Sequence, residues 1–268
     1  MPSFQTKGVV MLEINRLPDA NEILIDRCSF RAGQFEASWP GREEGFDKSF
    51  FKVFRFTDEE MLDLVQPSDP ETWCLMHCLR GAAKLVNSGT RLNQGYLLLQ
   101  QWSSKDNTAV ISADGSETLL SVLTVRHTTS GTLEAIYERI INNIRNITYQ
   151  KRPEGIRLKS LLVGSPLEKA VGYEYVEIKP NSSIEPHLHP YSDAFVYVVK
   201  GDGAFLVDDT RILVNEGCHG DVPRRCPHAV EAGPEGMEFI SVQIPPIGSD
   251  EGYVFLDGYT VRGEVRLG

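Results

Sequence analysis

The stretch that decides the fold is Pro180-Asn-Ser-Ser-Ile-Glu-Pro-His187-Leu-His189-Pro190, continued by Tyr191-Ser-Asp193-Ala-Phe-Val-Tyr-Val-Val-Lys-Gly201. Side chains alternate along a strand, so two histidines two residues apart point to the same side. Both imidazoles can then reach one ion. Phe195 to Val199 is an unbroken β-branched and aromatic run that stops at Gly201-Asp202-Gly203. Such a run predicts a strand buried on both faces.

Downstream, Gly217-Cys-His-Gly-Asp-Val-Pro223-Arg-Arg-Cys-Pro-His228 places a third histidine five positions after a proline. The two stretches, HLHPYSDAFVYVVKG and GCHGDVPRRCPHAVEA, resemble the two sequence motifs of the cupin superfamily over roughly residues 160–245. The resemblance implies a small β-barrel holding one divalent transition metal (Fe, Mn, Ni, Co, Cu or Zn). It implies His187, His189 and His228 as ligands. The family's acidic ligand falls on Ala194, so the fourth position is open. Asp193 ranks first for it, ahead of a three-histidine site completed by water; Glu185 and Gln243 are further candidates. Two more departures are Arg225, where the second motif has glycine, and Ala232, where it has asparagine.

Working outward, the chain repeats itself. RGAAKLVNSGTRLNQG (80–95) parallels KGDGAFLVDDTRILVNEG (200–217), with an offset of 120 residues between Gly81 and Gly201. Glycine-rich turns between short strands point to two tandem β-modules. The fold expected is all-β: two tandem cupin-type jelly-roll barrels with one or two helices, divided near residue 150 into 1–150 and 151–268. The first barrel lacks the histidines and reads as structural. Helices are predicted over 57–65, from a capping box at Thr57 to Glu60, and over 132–147, from an apolar stripe at three- and four-residue spacing. The C-terminal GYVFLDGYTVRGEVRLG predicts two strands around Asp257-Gly258.

A net charge of −10 argues against a nucleic-acid or anionic-membrane surface. No stretch approaches the roughly 20 apolar residues that span a bilayer. The five scattered cysteines have no disulfide-framework spacing, and a cytoplasmic location is the expectation. Cys226 is read as barrel packing, His219 as a turn residue and His127 as exposed. His77 is read as mid-strand without a partner. Tyr191 and Tyr197 are expected in a pocket wall or strand core.

A three-histidine site with an open position suits a catalytic metal. The expected function is a metal-dependent enzyme acting on a small polar or anionic metabolite, of isomerase, decarboxylase or dioxygenase type. The alternative is a non-catalytic binding or sensing module. Glu185, Asp193 and Glu231 are candidate bases. Arg224 and Arg225 could hold a substrate carboxylate or phosphate bidentately. Glu185 and Arg225 are the leading catalytic assignments. The partner expected is a small molecule, on a monomer or homodimer.

Overall fold

A computed structural model describes residues 22–25, 28–31, 50–57, 61–64, 72–101, 108–113, 117–126, 138–141, 143–150, 152–207, 209–247 and 252–266. The N-terminal strands are β1 (Glu22–Ile25) and β2 (Cys28–Arg31). The first module holds β3 (Phe50–Phe56), β4 (Met61–Leu64), β5 (Thr72–Arg80), β6 (Ala82–Leu85), β7 (Arg91–Asn93), β8 (Leu97–Gln101), β9 (Thr108–Ser112), β10 (Thr118–Arg126) and β11 (Glu138–Ile141). The second holds β12 (Ile156–Ser160), β13 (Gly172–Ile178), β14 (Ser183–Leu188), β15 (Asp193–Val207), β16 (Thr210–Asn215), β17 (His219–Val222), β18 (His228–Ile244), β19 (Val254–Phe255) and β20 (Gly263–Arg266).

The first module is a five-stranded sheet, β11-β8-β5-β10-β3, facing a four-stranded one, β4-β9-β6-β7. In the second, β15 and β18 are long enough to run through both faces of one continuous sheet. They pair along their whole length, with register shifts at Val198/Lys200 and Gly201/Gly203 where the pair turns the corner. The corner needs glycine. Gly201 has φ +82°, and a Cβ there would lie 2.0 Å from the carbonyl oxygen of Gly236. The repeat is visible in the backbone: Gly81 and Gly201 have φ +71° and +82°, and Gly95 and Gly217 have +82° and +89°.

Among the described residues, alternation builds three large cores. Cys74, Met76, Leu98, Leu120 and Val122 fill the first module. Val176, Val196, Val198, Phe205 and Phe239 fill the second. Their strand neighbours Leu75, Leu99, Leu123, Tyr173, Phe195 and Ile240 form one shared core between the modules. Phe51 and Phe195 meet across it at 5.0 Å between ring centroids. The unbroken run Phe195–Val199 is therefore buried on both faces, as its composition predicts. Each large apolar side chain so buried stabilises the fold by about 1.5–3 kcal/mol.

The shared core also holds a polar cluster. His77, buried on β5, has its Nδ1 3.2 Å from the Tyr173 hydroxyl, which lies 2.8 Å from Ser121 Oγ. The expectation that His77 lacks a partner is thus corrected: its partner comes from the other module, 96 residues away.

The helix expectations are corrected as well. Among the described residues there is no α-helix, and none is long and apolar enough to cross a membrane. Met61–Leu64 is a strand paired antiparallel with Thr108 to Ile111. Of 132–147, residues 132–137 and 142 lie outside the described residues. Glu138–Ile141 pairs with β8, and Ile144–Asn146 is one 3-10 turn. Isoleucines at 140, 141 and 144 suit a strand as well as a helical stripe, and the edge of β8 offers hydrogen bonds that a helix would forgo. Strands β3 to β11 precede residue 150 and strands β12 to β20 follow it. The hairpin β1–β2, however, adds to the second module's sheet through β2 and β17.

Candidate metal centre

The three histidines are brought together by strand pairing. His187 near the end of β14 lies opposite His228 at the start of β18. His189 follows two residues later on the same side. Their ring centroids are 4.2–5.0 Å apart, and all three offer a nitrogen within 4.8 Å of the others. Nε2 of His187 and Nε2 of His189 are 3.1 Å apart. All three side chains are buried.

Backbone contacts fix the ring orientation. Nδ1 of His187 lies 2.7 Å from the Glu185 carbonyl, and Nδ1 of His228 lies 2.9 Å from the Cys226 carbonyl. A carbonyl only accepts, so each Nδ1 carries the proton and each Nε2 keeps its lone pair for the cluster. Burial holds all three imidazoles neutral. It pulls His189 down to about 3, helped by neighbouring His187, and lowers His228 well below the usual range. His187 is lowered too, against the pull of its Glu185 hydrogen bond. Nδ1 of His189 is buried without a hydrogen-bond partner. Three neutral, buried imidazoles with convergent lone pairs form a donor set suited to a divalent transition ion.

The fourth-ligand expectation of Asp193 is corrected. Asp193 accepts from the Arg224 backbone N–H at 2.8 Å and its guanidinium at 2.9 Å, and does not join the cluster. Alternation explains it: Ala194 faces the cavity, so its neighbour Asp193 does not. The inward position of the acidic motif residue is thus occupied by a methyl group. Arg225 is also corrected. Its side chain is exposed and off the cavity wall, while its backbone takes φ +62° and donates to the His189 carbonyl at 2.7 Å. A left-handed turn is what the motif's glycine would supply here. Arg224 holds Asp193, and Glu231 pairs with Arg211 at 2.9 Å. Glu185 borders the cavity from an exposed position. Cys226 packs in the barrel core, as expected. His219 starts a strand, buried beside Phe195, rather than sitting in a turn. Tyr197 lies in the strand core and Tyr191 is exposed. His127 lies outside the described residues.

The histidines open onto a cavity of about 450 Å³ inside the second barrel. Sequence reasoning missed three of its polar residues. Glu174 on β13 is buried and accepts from Gln243 Nε2 at 2.9 Å; Gln243 also donates to Ser241 Oγ at 2.7 Å. Burial pushes the Glu174 carboxyl up, opposed by the Gln243 hydrogen bond and the Arg152 charge. Tyr253, just before β19, sets its ring 5.4 Å from His187 and 5.2 Å from His189. Arg152 lies over the same ring at 5.6 Å. Parity on GYEYVEI was the signal for Glu174: it shares a face with Val176 and Ile178, an apolar interior where a carboxyl is unusual.

Comparison with known proteins bears on the second module. Residues 174–243 match the family model described as the cupin domain. That segment of the second module is a cupin domain. No curated protein sequence matches the chain. Its fold resembles a putative glyoxylate-induced protein from Pseudomonas aeruginosa (TM-score 0.58, 12% identity, covering 86% of this chain and 87% of that one). It also resembles protein Ylba from E. coli (0.58, 13%, 87% and 87%) and the coconut allergen cocosin (0.55, 12%, 90% and 86%). At such identities the likeness concerns the fold alone.

Proposed function

We propose that this cupin is a metal-dependent enzyme of bicupin build, acting on a small polar or anionic metabolite in the cytoplasm. The carrying observation is that three neutral imidazoles converge in a cavity that also holds a buried carboxyl. His187, His189 and His228 would hold the ion. Bound there, it would supply Lewis acidity for isomerisation or decarboxylation or, as iron, a platform for oxygen chemistry.

The chain's own residues would do the rest. Glu174 is the cavity carboxyl whose burial favours the protonated form, which fits it to give and take a proton. Gln243 holds one Glu174 oxygen in place. Tyr253, with its hydroxyl pushed up by burial, remains protonated and roofs the histidines. The apolar walls lower the local dielectric, which strengthens each polar contact inside. Glu174 replaces Glu185 and Glu231 as the proton-transfer residue.

A second reading is a binding or sensing module without turnover. Its support is the largely apolar wall of the cavity, suited to holding a ligand. The test is a screen of small carboxylic and hydroxy acids by proton NMR. It would use chelator-stripped protein, protein reloaded with each of the six ions, and Glu174→Gln. We expect turnover with one ion only, and its loss in Glu174→Gln with metal retained. Ligand binding without turnover in any loaded form would favour the sensing module.

A further inference from the structure

Arg152 lies just ahead of the second barrel, yet it lines the cavity with the histidines. Its Nε is buried without a hydrogen-bond partner. One terminal nitrogen donates to Gln150 Oε1 at 3.2 Å, a neutral and exposed acceptor. A guanidinium has five donors in a planar fork. Here the fork is partly dehydrated and mostly unspent. The Tyr253 ring is a neighbour of both, 5.4 and 5.2 Å from the His187 and His189 rings and 5.6 Å from the Arg152 guanidinium. The cavity walls also include the apolar Leu158, Val176, Val196, Phe205 and Phe239.

We propose that Arg152 is the carboxylate anchor of this cavity, and that its ligands are amphiphilic carboxylates. The carboxylate lies on the Arg152 fork, and an apolar body of aryl or branched-alkyl size fills the barrel. Glu174 bears on the same point. Its carboxyl is one hydrogen bond from Gln243 and within the field of Arg152, yet no ion pair joins the two among the described residues. The arginine therefore meets an incoming anion without first breaking a salt bridge. The proposal deepens the reading above and rests on the same cavity, but not on the ion.

The test is isothermal titration calorimetry with 3-phenylpropanoate and its neutral counterpart, 3-phenylpropanamide. The proteins are the full chain as wild type, Arg152→Gln, Arg152→Lys and His187→Ala/His228→Ala, each with its metal content measured and its fold checked by circular dichroism. In wild type the carboxylate should bind at least about ten-fold tighter than the amide, the scale of a charge-assisted pair. Arg152→Gln should erase that preference, and Arg152→Lys should keep part of it. The histidine variant should keep it, because the anchor is the guanidinium. Equal binding of acid and amide, or no binding of the acid, overturns the proposal. So does a preference lost in the histidine variant but kept in Arg152→Gln, which would place the carboxylate at the metal site. A wild type that binds no metal after reconstitution but shows the preference intact would count against the enzyme reading and leave this one standing.

Discussion

Acid should loosen the junction between the two barrels through one side chain, His77. Its imidazole is fully buried in the shared core, edge-on to Tyr173 and Tyr175. Burial pulls it down to about 3, whereas the unfolded chain titrates near 6.5. The facing groups are Tyr173, Tyr175 and Ser121, and burial raises both tyrosines, so none carries charge in this range. Between these two values the unfolded chain binds the extra proton, so stability falls as pH drops through the window. From pH 7 to pH 5 the loss assignable to His77 is about 2 kcal/mol; it grows until pH approaches 3. The assay is urea unfolding at pH 7 and pH 5, on wild type and His77→Phe, which keeps an aromatic ring but cannot titrate. The variant should lose about 2 kcal/mol less than wild type across that step. Equal losses would refute the reasoning and place the acid sensitivity elsewhere.

Other outcomes follow from the corner and the loops. Gly201→Ala should destabilise the second barrel by about 2 kcal/mol or more, read as a lower denaturant midpoint, because a positive φ and a 2.0 Å contact with the Gly236 carbonyl must both be relieved. Asp193→Asn should weaken metal binding by about ten- to a hundred-fold in competition with a chromophoric chelator. It removes the charged acceptor of Arg224, in the loop whose next residue holds the His189 carbonyl, and should leave the ligand set unchanged.

Much of this architecture was legible in the residues. The spacing of His187 and His189 placed them on one face, and the motif around Pro223 brought His228 to them. The repeated glycines at 81 and 201 proved to be left-handed corner positions in both modules. What failed did so for identifiable reasons. The stripe from Leu133 to Ile144 fits a helix by period, but the open edge of β8 recruited its second half as a strand. Asp193 was chosen for its charge, yet strand parity turned it to Arg224 and left Ala194 facing the cavity. Arg225 was read as a guanidinium, although its backbone is what the fold uses. Arg152 carried no local signal, because its place is fixed only when the segment before β12 lies along the barrel mouth. Tyr253 reaches the histidines for a similar reason: β19 pairs with β14 at His187 and Leu188, a contact between strands 65 or more residues apart.

The central claim is that His187, His189 and His228 hold one metal ion. Its most direct test is metal content by inductively coupled plasma mass spectrometry, on purified wild type and on His187→Ala/His228→Ala, each after reconstitution and desalting. The account predicts about one transition-metal ion per wild-type chain and none in the variant. A wild-type chain without bound metal, or a variant that keeps its ion, would contradict it.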